Sequence, residues 1–408
     1  MEWMLDVDKQ LDVQAHALWQ RRCIYRVPAW IKDLNRKAYT PRVVSLGPFH
    51  HSDGALLPME EHKQRVVRHL MRRAKQPPEA FVAAVDEVAE QLQSAYVDLG
   101  SSVRRKVMRA AGSDWRKTGD YAPNDPIFSH HGVLYMVPYI RRDMLMLENQ
   151  LPLLVLHKLL AVENANKPPP NADVINRMVL KFMSPASRLV TGDGLRLHPL
   201  DVHRQSMLYG SSGRSSRDAV PEETDIIRSA LELYEAGVRF KRSGSGSLRG
   251  IRFRNGVLIM PAVVVDASTE YILLNMMAFE RLHIGAGNDV TAYAFFMDGI
   301  LKSAKDVALL SKSGIIQNAL GSDEAVAKLF NSISKDVVLE PDSALDAVHR
   351  EVNAYCSKPW NVWRANVKHN YFRSPTSLFN FLAGVIALGM TIAQTAYTIL
   401  SFYKQLSS

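Results

Sequence analysis

The sequence is poor in cysteine, and this excludes several classes of protein. Only Cys23 and Cys356 are cysteines among 408 residues. Two cysteines exclude a disulfide framework and any zinc site built from several cysteines. The first 20 residues carry four carboxylates and no apolar core, so they are not a signal peptide. We find no internal repeat. These features are typical of a domain that stays in the reducing cytosol.

Charge is absent from one long stretch near the C-terminus. Between Arg373 and Lys404 there are 30 consecutive residues without a formal charge, and most are apolar. A helix needs about 20 such residues to cross a bilayer. We therefore predict a transmembrane helix at 375–403, followed by a short tail at 404–408, as an anchor inserted after synthesis ends. A buried core helix is the alternative, but core helices are shorter and usually carry charge on one face.

The flanks of this segment suggest an orientation. Basic residues favour the cytoplasmic side of a membrane and aromatic rings favour the interface. Four basic residues precede the segment and one follows it, so we predict that the large domain is cytosolic, at the plasma membrane or an endomembrane. Ala383 and Ala387 are four residues apart, a spacing that lets helices approach closely, so a homo-oligomer is left open. The basic residues are Lys358, Arg364, Lys368, Arg373 and Lys404.

The spacing of apolar residues predicts a mainly α fold with a small β-hairpin element (α+β), plus the C-terminal transmembrane helix. Strands are predicted at 43–46, 251–253 and 257–265, the last two joined by a turn at Arg254-Asn255-Gly256. An N-terminal tail at 1–20 precedes a mainly helical soluble domain at 21–372, in which the polar stretch 209–223 is predicted to be mobile. Helices are predicted at 59–75, 79–99, 101–110, 144–162, 176–183, 224–236, 268–283, 291–310, 322–333 and 343–355.

The net charge of +9 is diffuse except in one predicted helix. There, a basic stripe is formed by Lys63, Arg65, Arg68, Arg72, Arg73 and Lys75. Such a stripe either contacts anionic lipid or is a solvated helix face. No helix-turn-helix, zinc finger or stacking-aromatic pattern accompanies it, which argues against nucleic acid as a partner.

Motifs that carry chemistry are missing. The pairs His50-His51 and His130-His131 are adjacent in sequence, so their rings point in different directions, and no His-Glu-x-x-His motif offers a metal site. There is no Gly-x-Ser-x-Gly nucleophile motif, and Cys23 lies beside Ile24 and Tyr25 without a predicted helix start to activate it, so we interpret it as a small core residue. The glycine-rich run at 244–247 leads towards a strand, unlike a phosphate-binding loop. We assign no catalytic, cofactor-binding or metal-ligating residue and no cofactor.

Carboxylates recur at the ends of apolar runs, and paired acids could perform general acid–base work. Ion pairs and helix caps account for them equally well. A desolvated pocket where Glu148, Asp266 or His50 converge would indicate an enzyme. The carboxylates are Asp143, Glu148, Asp266, Glu270 and Glu280, and nearby partners are Arg141, Arg142 and Arg281.

Several stretches together resemble the plant domain-of-unknown-function 247 family, over about residues 24–403. The most recognisable is Leu147-Glu148-Asn149-Gln150-Leu151-Pro152, and the others are 24–28, 38–51, 59–63, 253–280, 306–331 and 371–372. The chain departs from the family at Phe49, where tyrosine is common, and at Ser374-Pro375-Thr376, where Asn-Pro-Trp is common. We expect the amides of Asn149 and Gln150 to fix backbone around Pro152, where the N–H ladder stops.

The resemblance implies a membrane-attached plant protein with no established enzymatic activity. Some grass members are similar to pollen-side determinants of self-incompatibility. We therefore expect a membrane-anchored recognition or signalling protein that acts through protein–protein contacts, with membrane lipid around its C-terminal helix, an unidentified protein partner and no nucleic acid. The alternatives are a membrane-bound enzyme of unknown reaction and a structural tether that binds lipid through the basic stripe.

Overall fold

A computed structural model describes residues 22–33, 35–51, 53–97, 123–165, 168, 170–184, 194–210, 228–335, 344–359 and 375–406. The predicted tail at 1–20 and helix at 101–110 lie outside these residues, as does most of the polar stretch 209–223. The described part is mostly helical with a few short strands, which confirms the predicted fold class.

Helices in the first half of the chain are short apart from one. They are α1 (Ala29–Lys32), α2 (Leu57–Ala74), α3 (Pro78–Asp86), α4 (Ala89–Ser94), α5 (His130–Tyr135), α6 (Val137–Asp143), α7 (Leu153–Glu163), α8 (Ala172–Met183) and α9 (Pro199–Met207). Tight 3-10 turns lie at Arg36–Ala38, Pro48–His50, Gly54–Leu56 and Leu147–Asn149. Helices α2, α3 and α7 pack around a small core that contains Phe81 and Val85.

The second half contains longer helices around a larger core. They are α10 (Ala230–Glu235), α11 (Thr269–Leu282), α12 (Asp289–Ile300), α13 (Ala304–Lys312), α14 (Asp323–Ile333), α15 (Ala344–Cys356) and α16 (Pro375–Leu406). Helices α11, α12 and α14 pack against one another and bury Phe279, Tyr293 and Phe330. Burial of these aromatic rings supplies much of the apolar area that stabilises this half.

Five short strands form two small sheets. They are β1 (Arg239–Arg242), β2 (Arg252–Arg254), β3 (Val257–Met260), β4 (Val263–Val265) and β5 (Ile316–Asn318). In the first sheet β3 lies between β1, to which it is parallel, and β2, to which it is antiparallel. The predicted hairpin is confirmed, with positive φ at Asn255 (51°) and Gly256 (77°), as a two-residue hairpin turn requires. Pro261 ends β3, and β4 pairs instead with β5.

The predicted strand 257–265 is divided at Pro261, and the predicted helix 224–236 begins at Ala230. Four other predicted elements also differ from the structure. Residues 43–46 are not a strand, because side chains of Asp143 and Asn149 occupy their backbone N–H groups. The predicted helix 79–99 is two helices that end before Tyr96, which bridges to Ile24. The predicted helix 144–162 begins only at Leu153, because proline at 152 lacks the N–H that an earlier turn would need.

The fourth difference is a break within the predicted helix 291–310. Helix α12 ends at Ile300, and α13 starts again after Ser303. The Asp306 carboxylate accepts hydrogen bonds from the backbone N–H and hydroxyl of Ser303, at 2.9 and 2.7 Å. This capping arrangement satisfies helix-start groups and favours a new helix over a continuous one.

Helix α16 contains the apolar segment of the chain. Within it, Leu382–Leu400 is 19 residues long with a mean hydropathy of 1.5, and none of it is buried against the rest of the protein. Its side chains include Ile386, Leu388 and Ile392, each 62% exposed. A helix of this length and composition is sufficient to cross a bilayer.

Candidate interaction surface

Residues Asp143–Pro152, here called the polar bend, redirect the chain between two helices. The segments Val137–Asp143 and Leu147–Glu163 meet at 102°. The Asn149 amide accepts from the N–H groups of Leu46 and Gly47 and donates to the carbonyls of Val44 and Asp143, all within 3.2 Å. The Asn149 side chain therefore fixes backbone, as predicted.

The neighbouring Gln150 amide also bonds to backbone, at Met144, Met146 and Leu200. Its Nε2 donates to the carbonyls of Met144 (2.7 Å) and Met146 (2.6 Å), and its Oε1 accepts from the N–H of Leu200 (3.0 Å). Gln150 is completely buried. Its amide therefore ties the bend to the start of α9, which is also the structural role predicted for it.

Asp143 begins the polar bend and is also completely buried. Its Oδ2 accepts from the N–H groups of Arg42, Val43 and Val44 at 3.0, 2.7 and 3.0 Å. Burial raises the pKa of Asp143, although these three hydrogen bonds and the charge of Arg142 act in the opposite direction. The carboxylate thus replaces the partner strand that residues 43–46 lack.

The fold brings Glu148 close to His50. Convergence of these residues in a desolvated pocket was the criterion set above for an enzyme. Its carboxylate accepts from the Val27 N–H (2.7 Å) and pairs with Lys32 (2.7 Å), while His50 Nε2 lies 3.5 Å away. Burial opposes ionisation, but hydrogen bonds from His50 and Lys32 outweigh it and lower the pKa of Glu148. A carboxylate held ionised by three partners is suited to locking the N-terminal segment in place rather than to donating a proton.

The other carboxylates each have separate structural partners. Asp266 caps α11 by accepting from the N–H groups of Ser268 (2.8 Å) and Thr269 (3.1 Å). Glu270 accepts from the Asn35 side chain at 2.8 Å. Asp266 therefore does not join Glu148 and His50.

Glu280 holds three helices together. Its carboxylate accepts from Arg204 of α9 at 2.6 Å and from the N–H groups of Val290 and Thr291 at the start of α12. The side chains of Arg204 and Glu280 are only 2% and 1% exposed. The ionised pair is thereby supplied with the additional hydrogen bonds that a buried ion pair needs.

The histidines do not form a metal site among the residues that the structure describes. His50 faces Glu148, whereas the adjacent His51 lies 4.0 Å from Glu60, so the rings diverge as predicted. Cys23 is a buried core residue, and burial, followed by the Asp201 charge, raises the pKa of its thiol to about 12.

Sequence analysis overlooked His198, which caps α9. Its Nδ1 accepts from the Asp201 N–H at 3.2 Å, so the proton lies on Nε2, which contacts the Cys23 carbonyl at 3.1 Å. Burial lowers the pKa of His198 to about 4 against the opposing effect of Asp201. A histidine directly before a proline is a weak cap signal in the sequence, which is why the residue escaped notice.

The basic stripe of α2 is divided by internal ion pairs. Lys63 is buried and pairs with Glu60, Arg65 pairs with Asp125, and Arg73 pairs with Glu163. The exposed residues of the stripe are Arg68, Arg72 and Lys75. About half of the charge in the predicted stripe is thus used inside the fold.

A different cationic surface is formed by the first sheet. Side chains paired across neighbouring strands share a face. The registers Arg239↔Val257, Lys241↔Ile259, Arg252↔Ile259 and Arg254↔Val257 therefore place four cations around two half-buried aliphatic side chains. We call this surface the basic sheet face. The opposite face carries Leu258, Met260 and Phe253, which are buried.

The cations of the basic sheet face are exposed to solvent. Arg239, Lys241, Arg252 and Arg254 are all solvent-exposed. Within the described part of the chain none of the four forms an ion pair, and Arg239 instead stacks on the Tyr234 ring at 5.1 Å. The four cations of this face are therefore not used to pair acids in the described part of the fold.

A cleft of about 280 Å³ opens beside β2. Arg252 and Arg254 line it as well as the basic sheet face, so the two features are continuous. Arg249 and Asp289 form a bidentate ion pair in the wall of the cleft, with Nε–Oδ1 and Nη2–Oδ2 distances of 3.0 and 2.7 Å. Its buried apolar lining consists of Leu248, Ile251, Phe253, Ala292, Leu345 and Val348.

Only part of this surface was detectable in the sequence. The alternation Arg252-Phe253-Arg254 before the predicted turn indicates outward-pointing arginines. The contribution of β1 was missed, because Arg239–Arg242 is joined to β3 by a parallel pairing that depends on the path of the chain through 243–256.

Two of three comparisons with known proteins find similarity, and both find it to plant proteins. The family model described as a plant protein of unknown function matches residues 24–390. A UPF0481 protein of Arabidopsis thaliana is 29% identical over 93% of this chain and 87% of its own length. A second, putative UPF0481 protein of the same plant is 30% identical over 43% of this chain and 34% of its own length. No solved structure matches.

Proposed function

Since the chain belongs to this plant family of unknown function, we propose that it is a membrane-anchored recognition protein. Helix α16 holds it in the bilayer, and its folded domain acts by contact with a protein partner. The anchor is supported by the 19 apolar, unburied residues Leu382–Leu400. The contact surface is the basic sheet face.

One observation carries the proposal: the fold ion-pairs or hydrogen-bonds interior charges such as Glu280 and Asp143, but those of the basic sheet face form no ion pair within the described residues. Exposed charges of one sign around an aliphatic centre suit a partner of opposite charge, since complementary charge steers association and sets specificity. Recognition in pollen–stigma self-incompatibility, implied by the resemblance to some grass members, is one setting for such a contact. The excess of basic residues before α16 supports a cytosolic orientation of the domain.

The contact can be tested by photo-crosslinking in native membranes. A photoreactive amino acid at Ile259, in the centre of the basic sheet face, is expected to give a defined protein adduct. The adduct should disappear on Arg252→Glu/Arg254→Glu and persist on Arg68→Glu/Arg72→Glu, a matched charge reversal on exposed positions of α2. An adduct that survives reversal at the sheet would overturn the proposal.

Anchoring and orientation need a separate test. In sealed microsomes, protease is expected to remove an N-terminal tag and the folded domain while a C-terminal tag survives. The full chain should resist alkaline extraction, and deletion of 375–406 should release it. Protection of the large domain would place the contact surface on the other side of the membrane.

A further inference from the structure

We propose that the cleft and the basic sheet face together bind a short acidic segment of the partner that carries one bulky apolar side chain. The inference rests on the proposed function and specifies the chemistry of the partner. The apolar side chain enters the cleft, and the flanking carboxylates contact the basic sheet face.

The dimensions of the cleft favour a single side chain. Its volume of about 280 Å³ lies at the lower limit of small-molecule sites, which commonly occupy roughly 300–1,000 Å³. Its floor is formed by buried apolar residues, among them Ile251, Ala292 and Val348. A cleft with a buried apolar floor beside a cationic surface suits an anchoring side chain, because such side chains fill desolvated pockets in protein interfaces.

The cations favour carboxylates on the sheet side of that anchor. Arg252 and Arg254 stand at the rim of the cleft, and Arg239 and Lys241 extend the positive charge across β3. Arginine pairs with a carboxylate through two parallel hydrogen bonds. An extended acidic segment that leaves the cleft would meet these residues in succession.

The acids at the cleft argue against a lipid surface as the occupant. Asp289 and Glu351 also line it, and phosphate headgroups would be repelled by these carboxylates. A bilayer is also broad and nearly flat, whereas the apolar part of this site is concave. A peptide can direct its carboxylates to Arg252 and Arg254 and keep them away from Glu351.

The walls of the cleft are held in place before any partner binds. Arg249 is fixed by its ion pair with Asp289 at the start of α12. The ring of Phe253 packs edge-on against Tyr355 of α15, with ring centroids 5.4 Å apart. A preformed site avoids the entropic cost of ordering its walls on binding.

The test uses the full chain in nanodiscs of neutral phosphatidylcholine. The probes are two fluorescent oligoglutamate peptides, one with a central tryptophan and one with alanine in its place. The tryptophan peptide is expected to bind about tenfold more tightly than the alanine peptide, the ratio that 1.4 kcal/mol produces. Because the flanking contacts are exposed, higher ionic strength should weaken both.

Two substitutions in α15 form a matched pair. Ala347 lines the cleft and Ala354 does not, so Ala347→Trp should reduce tryptophan-peptide affinity about tenfold or more while Ala354→Trp leaves it unchanged. Arg252→Glu/Arg254→Glu should weaken both peptides. Equal binding of both peptides, or no effect of Ala347→Trp, would overturn the inference.

Other occupants give different results. A membrane surface would be identified if anionic phosphatidylserine vesicles bind more tightly than the tryptophan peptide and compete with it. A second copy of the chain would be identified if peptide binding changes in step with dimer formation. Either result overturns the inference. The proposed function has its own readout: if Ala347→Trp has no effect but charge reversal still removes the crosslinked partner, the inference fails and the proposed function stands.

Discussion

The polar bend and the basic sheet face are both rich in polar groups but use them in opposite ways. In the polar bend, Asp143, Asn149 and Gln150 are fully buried and bond to backbone. On the sheet, Arg252 and Arg254 are exposed and form no ion pair within the described residues. Unpaired charge is costly only where water is excluded. A polar motif therefore indicates scaffold when it is buried, and a candidate contact when it is exposed and unpaired.

The largest effect is expected for Asn149→Ala, which tests whether the buried polar groups of the bend stabilise the fold. Four buried backbone groups would lose their partner, and each such loss costs about 1–3 kcal/mol. We expect the free energy of unfolding to fall by about 4 kcal/mol or more, measured by urea denaturation of the full chain in detergent. Asn331→Ala, in an exposed hydrogen bond, is the control, and equal losses for the two would contradict a special role for the bend.

The pH dependence of the free energy of unfolding tests the effect of burial on His198, which lies beside the polar bend. The pKa of His198 is lowered to about 4 from 6.5, so between these values the unfolded chain holds more protons than the folded one. Stability should therefore fall as the pH is lowered from 6.5 to 4, by up to about 3 kcal/mol from this residue. His198→Asn retains a helix-capping side chain, so the difference between the two stability curves should contain this slope, and parallel curves would refute it.

Gly256→Ala tests whether the turn between β2 and β3 and its contact with Tyr355 stabilise the first sheet. At a φ of 77° a side chain is strained, and an added Cβ would lie 2.7 Å from the Tyr355 hydroxyl. We expect a loss of about 1–2 kcal/mol in thermal or chemical unfolding. Gly285→Ala has a similar φ but open space around it, so it should cost less, and the difference measures the contact with Tyr355.

The smallest effect is expected on the basic sheet face itself. Arg254→Ala and Arg252→Ala should each change the free energy of unfolding by less than about 0.5 kcal/mol, because neither side chain forms an ion pair with the part of the chain that the structure describes. The same substitutions should weaken the crosslinked contact. A large loss of stability would mean that these arginines belong to the scaffold, and the comparison would fail.

Sequence analysis predicted features that depend on neighbouring residues. The turn at Asn255-Gly256 and the helices from Thr269 and Asp323 follow from local spacing and turn chemistry, and the structure confirms them. The bonds from Gln150 to the carbonyls of Met144 and Met146 follow from a local cause, since Pro152 interrupts the helix. The bonds of Asn149 to residues 44–47 do not, because those residues lie about 100 positions away. The prediction of a strand at 43–46 was wrong, because the carboxylate that takes the place of a partner strand belongs to Asp143, about 100 residues away.

The sequence alone determined the class of the fold and the apolar length of α16, because helical periodicity, turn residues and hydropathy are properties of short segments. Tertiary structure decided which charges remain for function. It paired Arg65 with Asp125, Arg73 with Glu163 and Arg204 with Glu280, and it aligned β1 with β2 across β3 to gather the cations of the basic sheet face. Whether a charge is paired depends on residues distant in sequence, and only the folded chain brings them together.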